Sequence, residues 1–372
     1  MQTNKEPILK SRKKLYIEIM RILAMVFVIY NHTGEMGYSH FSQCEPGSIP
    51  FWLSLFTAVF CKFAVSLFFM ISGALMLNRP QESLKITFKK RILRYLLILA
   101  AISLFYAVFH HILYGNTYTI GSFLKMLYAS NVKYHLGFLY AYIAYLIMLP
   151  LLKAFCQGME NRHFVYLMLV YFCIQLLPPI QYFLWKGSFS LNSNIYPGLP
   201  GYALVIPMAG YFFEHRVSLD SIRKSLWIVW LINLFCIALS CWATYIRGMD
   251  SGVFSEGSSQ TYFQNFSWVG AIAVYLTVKA LTADIRWSQP AQKGILAVSR
   301  TSLDIYLFHP MVKNLLDLHV LGWIQSLNVR AVFKGWIYVF CIFLGSFLFS
   351  LAFQKVTALL TSVLHKKRSQ AA

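Results

Sequence analysis

Three ionisable residues lie in one apolar stretch near the start of the chain, EIMRILAMVFVIYNHTG, residues 18–34. Glu18 and Arg21 are three residues apart, so they share a helix face and can pair. His32 follows Arg21 by three helical turns plus about 20°, which places the two residues on one face, roughly 16 Å apart along the axis. A guanidinium holds phosphate groups, and an imidazole exchanges protons near neutral pH. The spacing predicts a polar stripe with a cation at one end and a proton acceptor at the other.

Such a stripe is costly in a membrane, where an ionised side chain at mid-depth costs about 2.5–3.5 kcal/mol on insertion scales. We therefore expect it to face the interior of a helix bundle. A simpler interpretation stays open at this point. In it, Arg21 reaches the lipid headgroups at one surface, and His32 is a loop residue just outside the other.

The composition predicts an integral membrane protein. Of the 372 residues, 58% are hydrophobic and only 12% are charged, too few charges to cover a soluble surface of this size. The net charge of +20 does not indicate a nucleic-acid partner, because lysines and arginines form short clusters between apolar windows, with no basic stripe among exposed aromatics. The seven cysteines are scattered without a CxxC pair, so no disulfide framework and no metal site is predicted.

The apolar windows predict an all-α fold of about ten transmembrane helices, since one span needs roughly 20 apolar residues. The predicted spans are 15–33, 51–77, 88–113, 135–155, 163–183, 199–214, 225–246, 263–282, 295–317 and 335–363. The sixth window is short and interrupted by Pro200, Gly201 and Pro207, which favours a broken helix lined by protein or water. We expect one membrane domain, 15–363, between basic tails at 1–14 and 364–372.

The distribution of positive charge predicts that both termini are cytoplasmic. The tails and the loops on their side of the membrane hold 23 of the 33 lysines and arginines. The loops on the opposite side hold six, and four more, Arg21, Lys62, Lys313 and Lys355, fall inside spans. Cytoplasmic loops carry such an excess, so the charge asymmetry also favours an even number of spans.

Several further residues are candidates for the site or its lining. Lys90, Arg91 and Arg94 begin the third span on the cytoplasmic side, where they either anchor the helix or hold phosphates. Other polar or small residues occur inside or beside spans, and each also has a purely structural interpretation, such as helix packing, an interface position or a kinked helix end. They are Ser72, Gly73, His135, Asp304 and His309.

Together these segments resemble the membrane acyltransferase-3 family over most of the chain. The family pattern of an acid, then Arg three residues on, then His after ten intervening residues corresponds to Glu18, Arg21 and His32. The segments FFMISG, YHLGFLYAYIAYLIMLPLL and SLDIYLFHP also look like family segments. Two departures are Glu18, where the family more often has Asp, and Asp304, where such segments commonly carry a small residue.

The resemblance implies acyl transfer in the cell membrane, from cytoplasmic acyl-CoA, acetyl-CoA first, to a hydroxyl of a surface polysaccharide or lipid-linked saccharide. On this interpretation Arg21, Lys90, Arg91 and Arg94 hold the phosphates of coenzyme A. His32 is the general base, because a hydroxyl is a poor nucleophile until its proton is removed. Glu35, three residues further on, is the candidate for orienting His32.

Two other functions remain open. A transporter or exporter also places ionisable residues in spans and uses broken helices, and the sixth window fits that description. A sensor or uptake module is the third, because the membrane half of certain serine racemases looks similar. That version carries a large soluble domain after the spans, which we do not expect here. The sequence does not specify the acceptor, the acyl group or the oligomeric state.

Overall fold

A computed structural model describes residues 14–129, 132–186, 192, 195, 198–254 and 265–370. The predicted N-terminal tail, apart from residue 14, and residues 371 and 372 of the predicted C-terminal tail lie outside the described residues. All regular structure in the described ranges is helical, as the long apolar windows predict. A helix satisfies every backbone group within its own segment, which hydrocarbon requires.

Fourteen helices of the described chain are numbered here in chain order. They are α1 Leu15–Tyr30, α2 Ile49–Cys61, α3 Phe63–Met76, α4 Leu93–Tyr114, α5 Ile120–Ala129, α6 Gly137–Gly158, α7 Asn161–Trp185, α8 Ile206–His215, α9 Leu219–Ser251, α10 Ser267–Thr282, α11 Gln289–Arg300, α12 Ser302–His319, α13 Leu321–Ser326 and α14 Ala331–Gln370. A π-helical segment, Thr87–Ile92, precedes α4, and another, Gly201–Val205, precedes α8.

Six helical stretches of the described chain are long and apolar enough to cross a membrane. They are Ile49–Met76, Leu84–Tyr114, Tyr134–Gly158, Asn161–Trp185, Leu219–Ser251 and Ala331–Leu359. The other four predicted windows also contain helix, namely α1, α8, α10 and α12. The chain is therefore an all-helical protein with several candidate spans, and the count of ten and the side of each terminus stay predictions.

The second and sixth predicted windows are both interrupted. Lys62 separates α2 from α3, and the π-helical Gly201–Val205 leads into α8. Helices α3 and α8 then pack backbone to backbone. A Cβ atom on Gly73 would lie 1.8 Å from the carbonyl oxygen of Pro207, and one on Gly210 would lie 2.0 Å from that of Met70. Only glycine permits this approach at those two positions.

Helix α1 lies at the centre of the bundle, in contact with α3, α10, α11, α12 and α14. Its buried residues include Met20, Ala24 and Ile29, none of which is exposed. The helix ends at Tyr30, three residues before the predicted end of the span. The amide groups of His32 and Thr33 donate to carbonyls three residues back, and Gly34, whose φ is +59°, then turns the chain. His32 therefore lies in the turn that follows α1, and the predicted helix face does not extend to it.

Candidate active site

Three histidines from distant parts of the chain meet beyond the end of α1. His32 follows α1, His135 lies in the helical turn before α6, and His309 lies within α12. The ring centroids of His32 and His309 are 5.3 Å apart, and those of His135 and His309 are 5.5 Å apart. Tyr134 packs against His32 at 4.7 Å. The structure thus brings together three of the residues selected from the sequence.

His309 is the buried support of this cluster. Its Nδ1 lies 2.8 Å from the carbonyl oxygen of Tyr306. A carbonyl only accepts, so Nδ1 carries the proton and Nε2 the lone pair. Nε2 is buried and has no hydrogen-bond partner in the described chain. The Tyr306 hydroxyl donates to the carbonyl oxygen of His135 and so ties α12 to the start of α6.

A cavity of about 630 Å³ opens in front of His32 and His135. Its wall also includes apolar side chains and the polar residues Asn31, Lys62, Tyr134, Tyr202, Tyr306 and Lys313. No carboxylate is among the described residues that line it, so the cavity is positively charged. Positive charge beside a proton acceptor suits a reaction in which negative charge develops on an oxygen atom.

Neighbouring groups hold the two lysines in place. The Lys62 ammonium lies 4.1 Å from the centroid of the Tyr38 ring. The Lys313 ammonium pairs with the Asp317 carboxylate at 2.7 Å, and the Tyr338 hydroxyl donates to the same carboxylate. Both cations are therefore positioned before any substrate arrives.

Asn31 offers a hydrogen-bond acceptor to the cavity. Its side-chain nitrogen donates to the carbonyl oxygen of Cys61 at 3.1 Å, which fixes the amide. Its oxygen is buried and has no partner in the described residues. A buried polar atom without a partner is costly, and a substrate hydroxyl can satisfy this one.

Aromatic rings follow the cavity lining along α6. The lining stops at Phe138 and Ala141 on α6, and Tyr142 occupies the next position along the helix. The Tyr142 ring lies 5.7 Å from that of Phe138 and 4.7 Å from that of Tyr95. Arg21 is an electrostatic neighbour of Tyr142, so this ring layer borders the basic residues at the other end of α1.

The basic residues at the inner end differ in whether they are already paired with a carboxylate. Arg21 pairs with Glu18 at 2.8 Å, as predicted from the spacing, and Ser299 also donates to Glu18. Arg91 binds both carboxylate oxygens of Glu82, and this hydrogen bonding lowers the pKa of the Glu82 carboxyl. Lys90 and Arg94 are exposed, so their charged groups are open to a ligand.

The remaining predicted residues lie away from the histidine cluster. Glu35 is exposed, and no described residue links it to His32. Ser72 donates to the carbonyl oxygen of Phe68 at 2.9 Å within its own helix. Asp304 accepts a hydrogen bond from Gln354 at 2.5 Å, a partner that the sequence did not reveal. Gly73 serves the contact between α3 and α8.

Sequence reasoning did not select several of the residues that line the cavity. Lys62 and Lys313 had a usable signal, because each is a charge inside an apolar window, and such charges usually mark function. Asn31 precedes His32 directly but has no spacing signal of its own. Tyr202 and Tyr306 lie in aromatic-rich segments, where a single tyrosine does not stand out.

The described part of the chain contains no group of three His, Cys, Asp or Glu side chains that is placed to hold a metal ion. The cluster rings stack or meet edge to face, with interplanar angles of 24° for His32 and His309 and 77° for His135 and His309.

Comparison with known proteins identifies a family to which the chain is similar. Neither the curated proteins nor the solved structures contain a match to the chain. A family model described as an acyltransferase domain matches residues 14–355, which include α1, the three histidines and both cavity lysines. The chain therefore belongs to the acyltransferase-3 family and is an acyltransferase of the membrane.

Proposed function

We propose that this enzyme moves an acyl group, acetyl in the first instance, from cytoplasmic acyl-CoA to a hydroxyl of a surface glycan or lipid-linked saccharide. His32 acts as the general base in the outer cavity. The observation that carries the proposal is the position of this imidazole at the wall of a positively charged cavity, in a chain of an acyltransferase family.

The reaction balances without a further reactant. The acceptor oxygen attacks the thioester carbonyl carbon while His32 takes the hydroxyl proton, and a new carbon–oxygen bond forms. The carbon–sulfur bond then breaks, and coenzyme A leaves as a thiol after it receives that proton from His32. General acid–base catalysis of this kind contributes about 10²–10⁴ in rate.

Other cavity groups assist the step by their chemistry. The ammonium groups of Lys62 and Lys313 stabilise the negative charge that develops on the carbonyl oxygen. The free oxygen of Asn31 accepts a hydrogen bond from a second hydroxyl of the saccharide. His135 and His309 hold the His32 ring through the packing of the cluster.

The donor enters from the inner face in this proposal. Arg94 and Lys90 are exposed there and attract the phosphates of coenzyme A, while Arg91 and Arg21 contribute after exchanging part of their present hydrogen bonds. The acyl arm then has to pass the Tyr95–Tyr142 ring layer to reach His32.

The test compares membranes that contain the wild-type protein with membranes that contain His32→Ala. Labelled acetyl-CoA is supplied on the cytoplasmic side, and alkali-labile label in the surface saccharide fraction is measured. Label that depends on the protein and disappears in His32→Ala supports the proposal. Full labelling by His32→Ala at equal protein level overturns the role of His32.

Binding measurements on the same membranes distinguish a transferase from a transporter. A transporter needs no acyl-CoA, so saturable binding of acyl-CoA that weakens in Arg94→Gln favours the transferase. Movement of saccharide without ester formation would favour transport.

A further inference from the structure

A second pocket adjoins the catalytic cavity and has a different chemistry. It has a volume of about 240 Å³ and lies between α7, the turn before α8, and the start of α10. Aromatic, amide and hydroxyl side chains line it, including Tyr171, Gln175, Tyr202, Asn265, Ser267 and Trp268. No charged side chain is among its described lining residues. Rings that combine an apolar face with a polar edge, together with neutral hydrogen-bonding groups, suit an uncharged saccharide.

Trp268, one of the residues that line this pocket, has an unused hydrogen-bond donor. The side chain is only 4% exposed, and its Nε1 has no partner in the described part of the chain. The Tyr171 ring packs against it with a centroid distance of 5.3 Å, which fixes its orientation. A buried indole N–H usually has a hydrogen-bond partner, so the unpaired N–H of Trp268 indicates a ligand that accepts a hydrogen bond from it.

Trp268 also begins an apolar groove of about 590 Å³ between α7, α9 and α10. Apolar side chains form its walls, among them Leu169, Phe172, Ile232 and Phe235. On the predicted orientation, Trp268 lies toward the outer surface and the groove descends from it toward Phe213, near the inner end of α8. This is the orientation of a lipid whose head lies in the outer leaflet.

Tyr202 links the saccharide-type pocket to the catalytic cavity, because it forms part of both walls. Its ring stacks on Phe69 at 4.8 Å. The hydroxyls of Ser66 and Ser267 hydrogen-bond to each other at 3.0 Å near this boundary. Groove, pocket and cavity therefore follow one another, joined first by Trp268 and then by Tyr202.

We propose that the acceptor is a lipid-anchored saccharide that enters sideways from the outer leaflet. Its hydrocarbon chain lies in the groove, its uncharged sugar occupies the pocket with a hydrogen bond from Trp268, and the reacting hydroxyl passes Tyr202 toward His32. This inference rests on the proposed function for the fate of the hydroxyl, whereas the lipid site itself can be tested without any transfer.

The binding test uses the full chain in phospholipid nanodiscs and a glucosyl diacylglycerol that carries a diazirine in one hydrocarbon chain. After photolysis, we expect labelled peptides from α7, α9 or α10. A large excess of unlabelled glucosyl diacylglycerol should suppress the labelling, and equal amounts of phosphatidylglycerol or maltotriose should not. Equal suppression by phosphatidylglycerol, equal suppression by maltotriose, or labelling elsewhere would each overturn the proposal.

Matched variants locate the groove. Leu169 in the groove and Leu348 on α14 are exposed to the same degree, 57% and 56%. Leu169→Trp fills the groove and should reduce labelling by at least about fivefold, whereas Leu348→Trp should leave it unchanged. Trp268→Phe keeps the ring but removes the donor, and should reduce labelling by about two- to tenfold. Equal labelling in wild type, Leu169→Trp and Trp268→Phe would contradict the assignment.

The two proposals fail in different ways. If His32→Ala keeps the labelling but also keeps transfer, the catalytic role of His32 is wrong and the lipid site stands. If Leu169→Trp transfers acetyl to lipid-anchored and soluble saccharides at the wild-type rates, the lipid route is wrong and the acyltransferase proposal stands.

Discussion

The two ends of α1 treat their charged groups in opposite ways. At the inner end the Glu214 carboxylate, whose side chain is 1% exposed, binds Lys14, the hydroxyls of Tyr16 and Tyr275 at 2.5 and 2.7 Å, and Lys279 at 3.1 Å. At the outer end, histidine and lysine side chains surround an open cavity whose described lining has no carboxylate.

This difference separates structure from chemistry. A buried carboxylate with four partners has no capacity left for a substrate, so the inner network locks α1, α8 and α10 together. The outer groups keep free positions, such as Nε2 of His309 and the oxygen of Asn31, at some cost in stability. Substitutions around the outer cavity should therefore affect catalysis, and those in the inner network around Glu214 should affect folding.

The largest effect on activity is expected at His32. Replacing it by Gln removes the base but keeps a polar side chain, so acetyl transfer should fall by about 10²–10⁴ while thermal stability in detergent stays unchanged. Transfer rates are measured at equal amounts of folded protein. His135→Gln and His309→Gln serve as comparisons. They should retain more activity than His32→Gln, because His135 and His309 only support the His32 ring. A variant series in which His135→Gln is the most damaged would move the base from His32 to His135.

The largest effect on stability is expected at Glu214. Glu214→Ala leaves Lys279 buried without its carboxylate, so the free energy of unfolding should fall by about 3–5 kcal/mol. The measurement is the thermal midpoint of the purified protein, and residual folded enzyme should keep the wild-type rate per molecule. Asp284→Ala breaks an exposed pair with Arg223 and is the control that should not change the midpoint. Wild-type stability of Glu214→Ala would remove the distinction between the two ends.

The sequence predicted the helical fold and the ion pair of Glu18 with Arg21, and both predictions have a physical reason. Apolar windows specify helices locally, and a three-residue spacing specifies the pair of Glu18 and Arg21. The cavity depends on where α1, α6 and α12 pack, which no local pattern encodes. Glu35 was selected by proximity in sequence, but Gly34 turns the chain and leaves Glu35 exposed.

Lys62 tests whether the outer positive charge acts on the transition state. Lys62→Met keeps the length of the side chain and removes its charge, so kcat should fall by about ten- to a hundredfold with little change in KM for acyl-CoA. Lys62→Arg should restore part of the rate, because it returns the charge with a different shape. A rise in KM at constant kcat would instead assign Lys62 to substrate binding.

Arg94 and Arg91 test the inner face, where the smallest effects are expected. Arg94 is exposed, so Arg94→Gln removes a phosphate contact and nothing structural, and KM for acyl-CoA should rise by about two- to tenfold at constant kcat. Arg91 already binds Glu82, so Arg91→Gln should lower the thermal midpoint as well as weaken acyl-CoA binding. Glu82→Gln separates the contribution of Arg91 to stability from its contribution to acyl-CoA binding, because it releases Arg91 without removing it.

If the inner face does hold coenzyme A, Glu82→Gln should bind acyl-CoA more tightly than wild type, since Arg91 then pairs with phosphate without first giving up a carboxylate. Acyl-CoA affinity that is the same in wild type, Arg94→Gln and Glu82→Gln would place the donor site elsewhere.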